Sequence, residues 1–194
     1  MKFTDQLSRN IELKSFPPQK IISIVPSQTE LLFDLGLDEE VIGITKFCVH
    51  PEHWFRSKKR VGGTKQLNLL LIRELQPDLI IANKEENNRE EIEELMKEFP
   101  VWISDVGNLE DAYDMIGSVG QLVGRPENSN ELNDRIKEHF VSYLSMDTRS
   151  NLKSPISSPR TVYLIWKDPF MTVGGDTFIN EMINTCGLQN VFEN

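Results

Sequence analysis

The chain has 194 residues, a length that fits one ordinary domain or one and a half small ones. It is 39% hydrophobic and 26% charged, which is a globular composition, and its formal net charge is −9. Such an acidic chain repels polyanions at range, so we expect neither a nucleic-acid partner nor binding to an anionic membrane surface. No run of about 18 apolar residues occurs, so we expect no membrane span.

Residues 1–20 form an N-terminal extension that carries charges throughout and has no apolar core region. It does not have the pattern of a signal peptide, so the chain as written would stay in the cytoplasm unless a leader was removed. The apolar run IISIV (21–25) then predicts a buried strand. The following helix is expected to begin with a capping box, Ser27 with Glu30, and to end at Gly36.

Strands and helices alternate with short links up to about residue 125. This alternation predicts a parallel α/β sheet in one compact lobe, 21–125. The basic cluster Arg56–Arg60 is interpreted as a solvated loop, with an anion contact as the alternative. Further strands are predicted at 41–45, 78–82 and 101–105, and further helices at 68–75, 87–99 and 109–124.

The remaining residues begin a second structural unit. An amphipathic helix is predicted at 130–144, followed by a surface connection rich in Ser, Pro and basic residues at 145–160. A strand at 161–166 and a helix at 175–188 come next. One strand and one helix cannot cover a hydrophobic sheet face, so the second lobe, 160–194, is expected to be incomplete.

Three segments of the chain form a specific pattern. They are KIISIVPSQTELLFDLGLDEEVIGIT, VGGTKQLNLLLIRELQPDLIIA and RTVYLIWKDPFMTVGGDTFINEMINTCGLQNVF. Together they resemble a known family, the substrate-binding proteins of ABC importers for iron chelates and vitamin B12, which are the helical-backbone class. The resemblance implies two α/β lobes joined by a long helix, here 126–150, with the ligand held between the lobes. It also implies a periplasmic or envelope location.

Ligands of open parallel sheets bind beyond the carboxyl ends of the strands, so the residues there are the candidate ligand contacts. They combine aromatic, amide, thiol and imidazole groups, a mixture that suits a large flat ligand with polar edges. We also expect Trp54 and Trp166 to lie near the ligand. The candidates are Pro26, Ser27, Gln28, Phe47, Cys48, His50, Asn83, Lys84, Trp166 and Phe170.

The segment TKFCVHPEHW raises the question of a metal site. Cys48 and His50 lie two residues apart, so both side chains of an extended segment lie on one side. Only His139 lies outside this segment, so we expect no site for a free metal ion and no intrinsic cofactor. One axial ligand to a chelated metal, from His50 or Cys48, remains open beside a polar rim residue. Both cysteines are expected to be free thiols.

The predicted acidic helix holds seven glutamates between Glu85 and Glu98. A solvated helix face is one interpretation. The family resemblance implies the other, contact with an ABC permease through one exposed carboxylate in each lobe. Glu90 or Glu91 has the matching position in the first lobe, and Asp176 or Glu181 in the second. Such exposed charges steer association more than they hold a complex.

The sequence therefore predicts a monomeric binding protein, not an enzyme, for a corrinoid, haem or ferric chelate. If nothing follows Asn194, we expect weak binding or none. A cytoplasmic carrier or sensor of a metal chelate on the same fold is the alternative. A third possibility is a Cys48–His50 nucleophile and base, although no orienting group or oxyanion site lies nearby in the sequence. No catalytic residue is assigned.

Overall fold

The computed structural model describes residues 1–145 and 158–194, without the side chains of 143–145. The chain divides into two compact units. The first contains residues 1–105 and 115–134, and the second contains 106–114 and 135–194. Most of the connection predicted at 145–160 lies outside the described residues.

The described elements before residue 146 include every predicted strand and helix. They are β1 (Lys2–Thr4), β2 (Asn10–Glu12), β3 (Ile21–Ser23), α1 (Pro26–Asp34), β4 (Val41–Ile44), α2 (Glu52–Ser57), β5 (Lys59–Arg60), α3 (Leu69–Leu75), β6 (Leu79–Asn83), α4 (Arg89–Met96), β7 (Val101–Ser104), α5 (Leu109–Leu122) and α6 (Pro126–Ser145). Of these, β1, β2, α2 and β5 are additional to the prediction. The single helix predicted at 130–144 is thus the longer α6, which begins at a proline, a residue that suits the first helical position.

The first unit is built on a five-stranded sheet in the order β5-β4-β3-β6-β7. All four neighbouring pairs of strands are parallel, which confirms the predicted α/β class. The central strand β3 is buried on both faces, and Ile21, Ile22 and Ile24 have no exposed surface. This explains why its sequence does not alternate between apolar and exposed polar residues, and its one polar side chain, Ser23, is buried as well.

The start of α1 differs from the prediction. Val25 is the N-cap residue and has no side-chain capping bond, while Pro26 occupies the first turn. A proline fits there because the first amides of a helix have no intrahelical acceptor. Ser27 therefore lies inside the helix, and the predicted Ser27–Glu30 capping box is wrong.

The N-terminal extension is an integral part of the first unit. β1 and β2 pair as an antiparallel hairpin, and their connection, residues 5–9, is called the strap below. The amide of Gln6 donates to the carbonyl oxygen of Ile103 at 3.2 Å, and the Gln6 side chain accepts from the Asp105 amide at 3.0 Å. The strap thereby covers the free edge of β7, which would otherwise expose unpaired backbone groups.

The segment around Trp54 departs from two predictions. Lys59 and Arg60 form β5 at the sheet edge, so the basic cluster is not a loop, although most of its side chains are exposed. Trp54 is fully buried and donates from Nε1 to Asp38 Oδ1 at 2.7 Å. Asp38 precedes β4 and so lies at the amino edge of the sheet, and the Trp54 ring is buried against it instead of exposed to a ligand.

The same contact affects the Asp38 carboxylate. Hydrogen bonds from Lys58 and Trp54 hold the pKa of Asp38 below its usual value. Lys58 Nζ lies 3.1 Å from Asp38 Oδ1 and 5.4 Å from the Trp54 ring centroid. These contacts fasten α2 to the α1–β4 connection.

The described part of the second unit after residue 157 contains β8 (Arg160–Thr161), β9 (Leu164–Trp166), β10 (Met171–Thr172), α7 (Phe178–Thr185) and β11 (Gln189–Asn190). The strand predicted at 161–166 is broken into two. Its first part pairs in parallel with β11, whereas its second part pairs antiparallel with β10. The two parts belong to different two-stranded sheets, so the chain must change direction between them.

Asp5 should anchor the strap, and its replacement by asparagine tests this. Its buried carboxylate accepts from the amides of Leu7 at 3.1 Å and Arg9 at 2.8 Å, and from Arg9 Nε at 2.9 Å. We expect Asp5→Asn to lower the free energy of unfolding by about 2–3 kcal/mol, because charge-assisted hydrogen bonds are lost. Urea denaturation measures this. Asp114→Asn, at an exposed position of α5, is the control. Equal midpoints for both variants would contradict the anchoring role.

Candidate ligand-binding site

The carboxyl ends of five parallel strands meet at one edge of the first unit's sheet. The connections at this edge are called the rim below, and they comprise residues 25–28, 45–50, 61–64, 83–87 and 104–105. Open α/β sheets bind small molecules at this edge.

One side of the rim presents an aromatic ring on a glycine turn. Phe47 is 51% exposed, and Lys46 Nζ lies 5.1 Å from its ring centroid. A Cβ atom at Gly63 would lie 3.1 Å from the Phe47 ring, so the glycine allows the ring to lie against the turn. Gly62 has a φ of +109° and leaves 2.5 Å between a built Cβ and the Gln66 carbonyl oxygen, so only glycine fits there.

Cys48 lies beneath the rim instead of on its surface. Its side chain is fully buried, and Sγ lies 3.1 Å from the hydroxyl oxygens of both Thr29 and Thr45. The expected ligand contact and axial ligation by Cys48 are therefore corrected, because no ligand reaches a buried thiol. His50 is exposed, so it is the one member of the pair that can contact a ligand.

The middle of the rim carries an amide cluster. Asn83 Nδ2 donates to Ser104 Oγ at 3.0 Å, and Gln28 Nε2 donates to the same oxygen. Gln28 is 2% exposed, and its Oε1 has no hydrogen-bond partner among the described residues. Of these side chains, Asn83 is half-buried, whereas Gln28 and Ser104 lie beneath the surface. Gln28 therefore supports the rim from below, and Ser104 was not among the residues selected from the sequence.

Lys84 and Asp105 close this end of the rim as an ion pair. Lys84 Nζ lies 2.6 Å from Asp105 Oδ2, and this hydrogen bond raises the pKa of Lys84. Both side chains are partly exposed. The pair therefore offers a ligand a polar edge without a net charge.

Asn87 joins three of the rim connections and was not selected from the sequence. It is 5% exposed. Its Nδ2 donates to the carbonyl oxygens of Ile24 at 3.2 Å and Thr64 at 3.0 Å, while its Oδ1 accepts from the Asn83 amide at 2.8 Å. Its neighbours in the sequence, Glu85 to Arg89, are all polar, so nothing there distinguishes a buried asparagine from an exposed one.

The described second unit presents its own apolar surface. Trp166 is 65% exposed and Phe170 is 70% exposed, on either side of the β9–β10 turn. Leu164 and Ile165, also in β9, are 54% and 44% exposed. Successive residues of a strand point to opposite faces, so both faces of β9 are open to solvent.

The four candidate docking carboxylates have different surroundings. Glu91 Oε2 accepts from the Leu67 amide at 3.0 Å and so holds the loop before α3. Glu90 is exposed and makes no ion pair with another described residue. Asp176 is exposed and Glu181 is half-buried. In the first unit, Glu91 is thus already engaged by a backbone amide, whereas Glu90 makes no ion pair with another described residue.

Two further properties concern the part of the chain that the structure describes. No three His, Cys, Asp or Glu side chains in it are grouped to hold a metal ion. None of its helices combines the length and apolar character needed to cross a membrane. Both cysteines are free thiols, as predicted.

An α/β sheet with exposed aromatic, amide and imidazole groups at its carboxyl edge defines a small-molecule-binding class of protein. The family model described as "Periplasmic binding protein" matches residues 21–194, and the chain belongs to that family. This confirms the resemblance found in the sequence.

Individual relatives agree with this assignment. A vitamin B12-binding protein of Vibrio parahaemolyticus is 28% identical over 187 residues, which cover 95% of this chain and 65% of the relative. The crystal structure of the periplasmic vitamin B12-binding protein of Vibrio cholerae matches with a TM-score of 0.76 and 25% identity, over 92% of this chain and 68% of that one. A possible iron-binding (periplasmic solute-binding) protein from Staphylococcus epidermidis matches with a TM-score of 0.75 and 27% identity, over 91% and 68%.

The chain is shorter than these relatives. It spans 62 to 65% of the length of the vitamin B12-binding proteins from three Vibrio species. The family match and the Vibrio cholerae structure confirm the predicted fold class, a periplasmic-binding-protein-like α/β chain.

Thiol reactivity tests the position of Cys48. We expect a disulfide reagent to modify Cys186 rapidly in the native protein, because this residue is exposed, and Cys48 only after denaturation, because it is buried. The number of thiols that react, before and after adding guanidinium chloride, is measured from the absorbance of the chromophore that the reagent releases. Cys186→Ser is the control and should remove the fast phase. A fast reaction that persists in Cys186→Ser would show that Cys48 is accessible and would revive the nucleophile hypothesis.

Proposed function

We propose that this chain is the ligand-binding component of an ABC importer and that it binds a metal chelate: a corrinoid, haem or ferric siderophore. The family match over residues 21–194 carries this proposal. The printed functions of the relatives, vitamin B12 binding and possible iron binding, support the ligand class. Binding without catalysis is part of the proposal, since the buried Cys48 cannot act on a bound ligand.

The proposed ligand contacts of the first unit lie on the rim. Phe47 supplies apolar area for a flat ligand, while Ser27, Asn83 and Lys84 supply hydrogen bonds to its polar edge. Pro26 contributes its ring at the start of α1. Large ligands are held by such apolar contact area together with a few polar groups that fix orientation.

The proposed contacts of the second unit are Trp166 and Phe170. Both rings are largely exposed, so a bound ligand would cover apolar area on them. Aromatic side chains contribute strongly to binding when a partner buries them. His50 is proposed as an axial ligand of the chelated metal, because it is exposed and imidazole nitrogen is a preferred ligand of cobalt and iron.

A panel of ligands tests the proposal. Cyanocobalamin, hydroxocobalamin, haemin and a ferric siderophore are titrated and followed by absorbance and by equilibrium dialysis. We expect saturable binding of one class, and we expect Phe47→Ala to weaken it about tenfold through the loss of aromatic contact. Buried Trp54 should contribute little to any fluorescence change, and Trp166 should contribute most.

His50→Ala separates metal ligation from simple contact. We expect this variant to abolish the shift of the corrin or Soret band, whereas His139→Ala, at an exposed position of α6, should leave it unchanged. An unchanged band shift in His50→Ala contradicts axial ligation alone. A flat response of the wild-type protein to all four ligands contradicts the proposed ligand class.

We further propose that Glu90 in the first unit and Asp176 or Glu181 in the second contact arginines of an ABC permease. Glu90 is favoured over Glu91 because Glu91 already accepts from the Leu67 amide. With the purified permease of the same organism in nanodiscs, Glu90→Lys should slow association, and the difference should shrink at high salt. Glu110→Lys, exposed on α5, is the charge-matched control. Equal association rates for both variants would remove Glu90 from the interface.

A further inference from the structure

A pocket of about 420 Å³ lies on the flank of the first unit, between α4 and the strap. It starts beside the rim residues Asn83 and Lys84 and follows one face of α4 through Arg89, Ile92, Glu93 and Met96. From Arg89 to Met96 the helix rises about 10 Å, at 1.5 Å per residue. The proposed chelate contacts Phe47 and His50 do not line this pocket.

The middle of the pocket is apolar. Ile92 of α4 and Ile103 of β7 are 4% and 6% exposed, and both belong to the hydrophobic core. Leu7 of the strap and Met96 of α4 are only partly buried and face the pocket from opposite sides. An apolar ligand segment in this space would cover Leu7 and Met96 and so remove their apolar surface from water.

Arg9 supplies a hydrogen-bond donor to this pocket. Its Nε and Nη2 donate to the buried carboxylate of Asp5, and Nη2 lies 3.3 Å from the carbonyl oxygen of Val101. Its Nη1 reaches the thioether sulfur of Met96 at 2.7 Å, and a thioether is a weak acceptor. No oxygen atom of the described residues accepts from Nη1, and the Arg9 side chain is 32% exposed.

The charge of the lining favours an anion over a cation. Three of the ten lining residues, Arg9, Lys84 and Arg89, are cationic, and Glu93 is the one acidic residue among them. Glu93 is engaged by Arg89 at 2.7 Å, and Lys84 is engaged by Asp105 at 2.6 Å. Arg9 is the least exposed of these three cations, at 32% against 55% for Lys84 and 90% for Arg89, and its Nη1 lacks a strong acceptor among the described residues.

We propose that this pocket binds a small amphiphilic carboxylate, with an apolar body about as long as the pocket and its carboxylate on Arg9 Nη1. The apolar body lies along Leu7, Ile92 and Ile103, and the carboxylate replaces the weak sulfur acceptor with a charged oxygen. Octanoate has the required chemistry, since eight carbons in a chain span about the 10 Å from Arg89 to Met96. Asn83 and Lys84 are proposed chelate contacts and also line one end of this pocket, whereas Arg9 and the apolar wall, on which this proposal rests, are not chelate contacts.

An NMR titration of the ¹⁵N-labelled chain with octanoate tests the site. We expect saturable shifts of the amides of Leu7, Arg9, Ile92 and Ile103. Octylammonium, which has the same apolar body and the opposite charge, should bind at least about tenfold more weakly, since a charge-assisted hydrogen bond is absent. Equal affinities for the two probes would overturn the role of Arg9.

Two variants fill the pocket from opposite walls. Met96→Trp and Leu7→Trp should each raise the Kd for octanoate at least about tenfold, because the larger ring takes the space of the apolar body. Met171→Trp, on the exposed β10 of the second unit, is the matched control and should leave the Kd unchanged. Amide dispersion identifies any variant that fails to fold, and the two walls give two independent tests.

One outcome of these experiments would overturn the proposal. Shifts confined to the exposed apolar residues of β9, with affinity unchanged in both filled variants, would show that octanoate binds open apolar surface instead of this pocket. That outcome overturns the proposal and leaves the chelate function untouched, since the ligand panel reports on Phe47 and His50.

Discussion

The parallel alignment of five strands is the constraint on which the first unit depends. Parallel strands need crossovers, so each connection from a strand end leads through a loop or helix on the sheet face. All carboxyl ends consequently meet at one edge, and residues as distant as Phe47 and Asn83 become neighbours of the same rim. β3 occupies the centre with both faces buried, and its one polar side chain, Ser23, is buried as well. Functional groups are therefore confined to the strand ends.

Buried polar groups hold the rim connections in place. Asn87 joins backbone groups from three loops, and the hydroxyls of Thr29 and Thr45 enclose the Cys48 thiol. Groups of this kind are stable in a core only when they are hydrogen-bonded, so they specify one loop arrangement. The oxygen of Gln28 is the exception, since it is buried without a described partner. The loop that carries the exposed ring of Phe47 is therefore held in one conformation.

Charge on the first unit is arranged mainly along α3 and α4. Arg73 of α3 contacts Glu94 and Glu98 at 2.9 and 2.7 Å, and these contacts raise the pKa of Arg73. Hydrogen bonds from Lys97 and Arg73 lower the pKa of Glu94. Such exposed pairs add little to stability, but they leave Glu90 as an unengaged carboxylate on an acidic surface. That pattern suits association steered by charge.

The sequence alone determined the α/β class, the order of strands and helices and the family, because apolar runs and their spacing are local properties. It also placed Phe47, His50 and Asn83 at strand ends, since strand ends can be read from the pattern. Only the tertiary structure decided that Cys48 is buried, that Trp54 lies at the amino edge and that Asn87 joins three loops. These properties depend on contacts between residues that are distant in the chain. The same is true of the pocket between α4 and the strap, whose two walls lie at least 80 residues apart in the sequence.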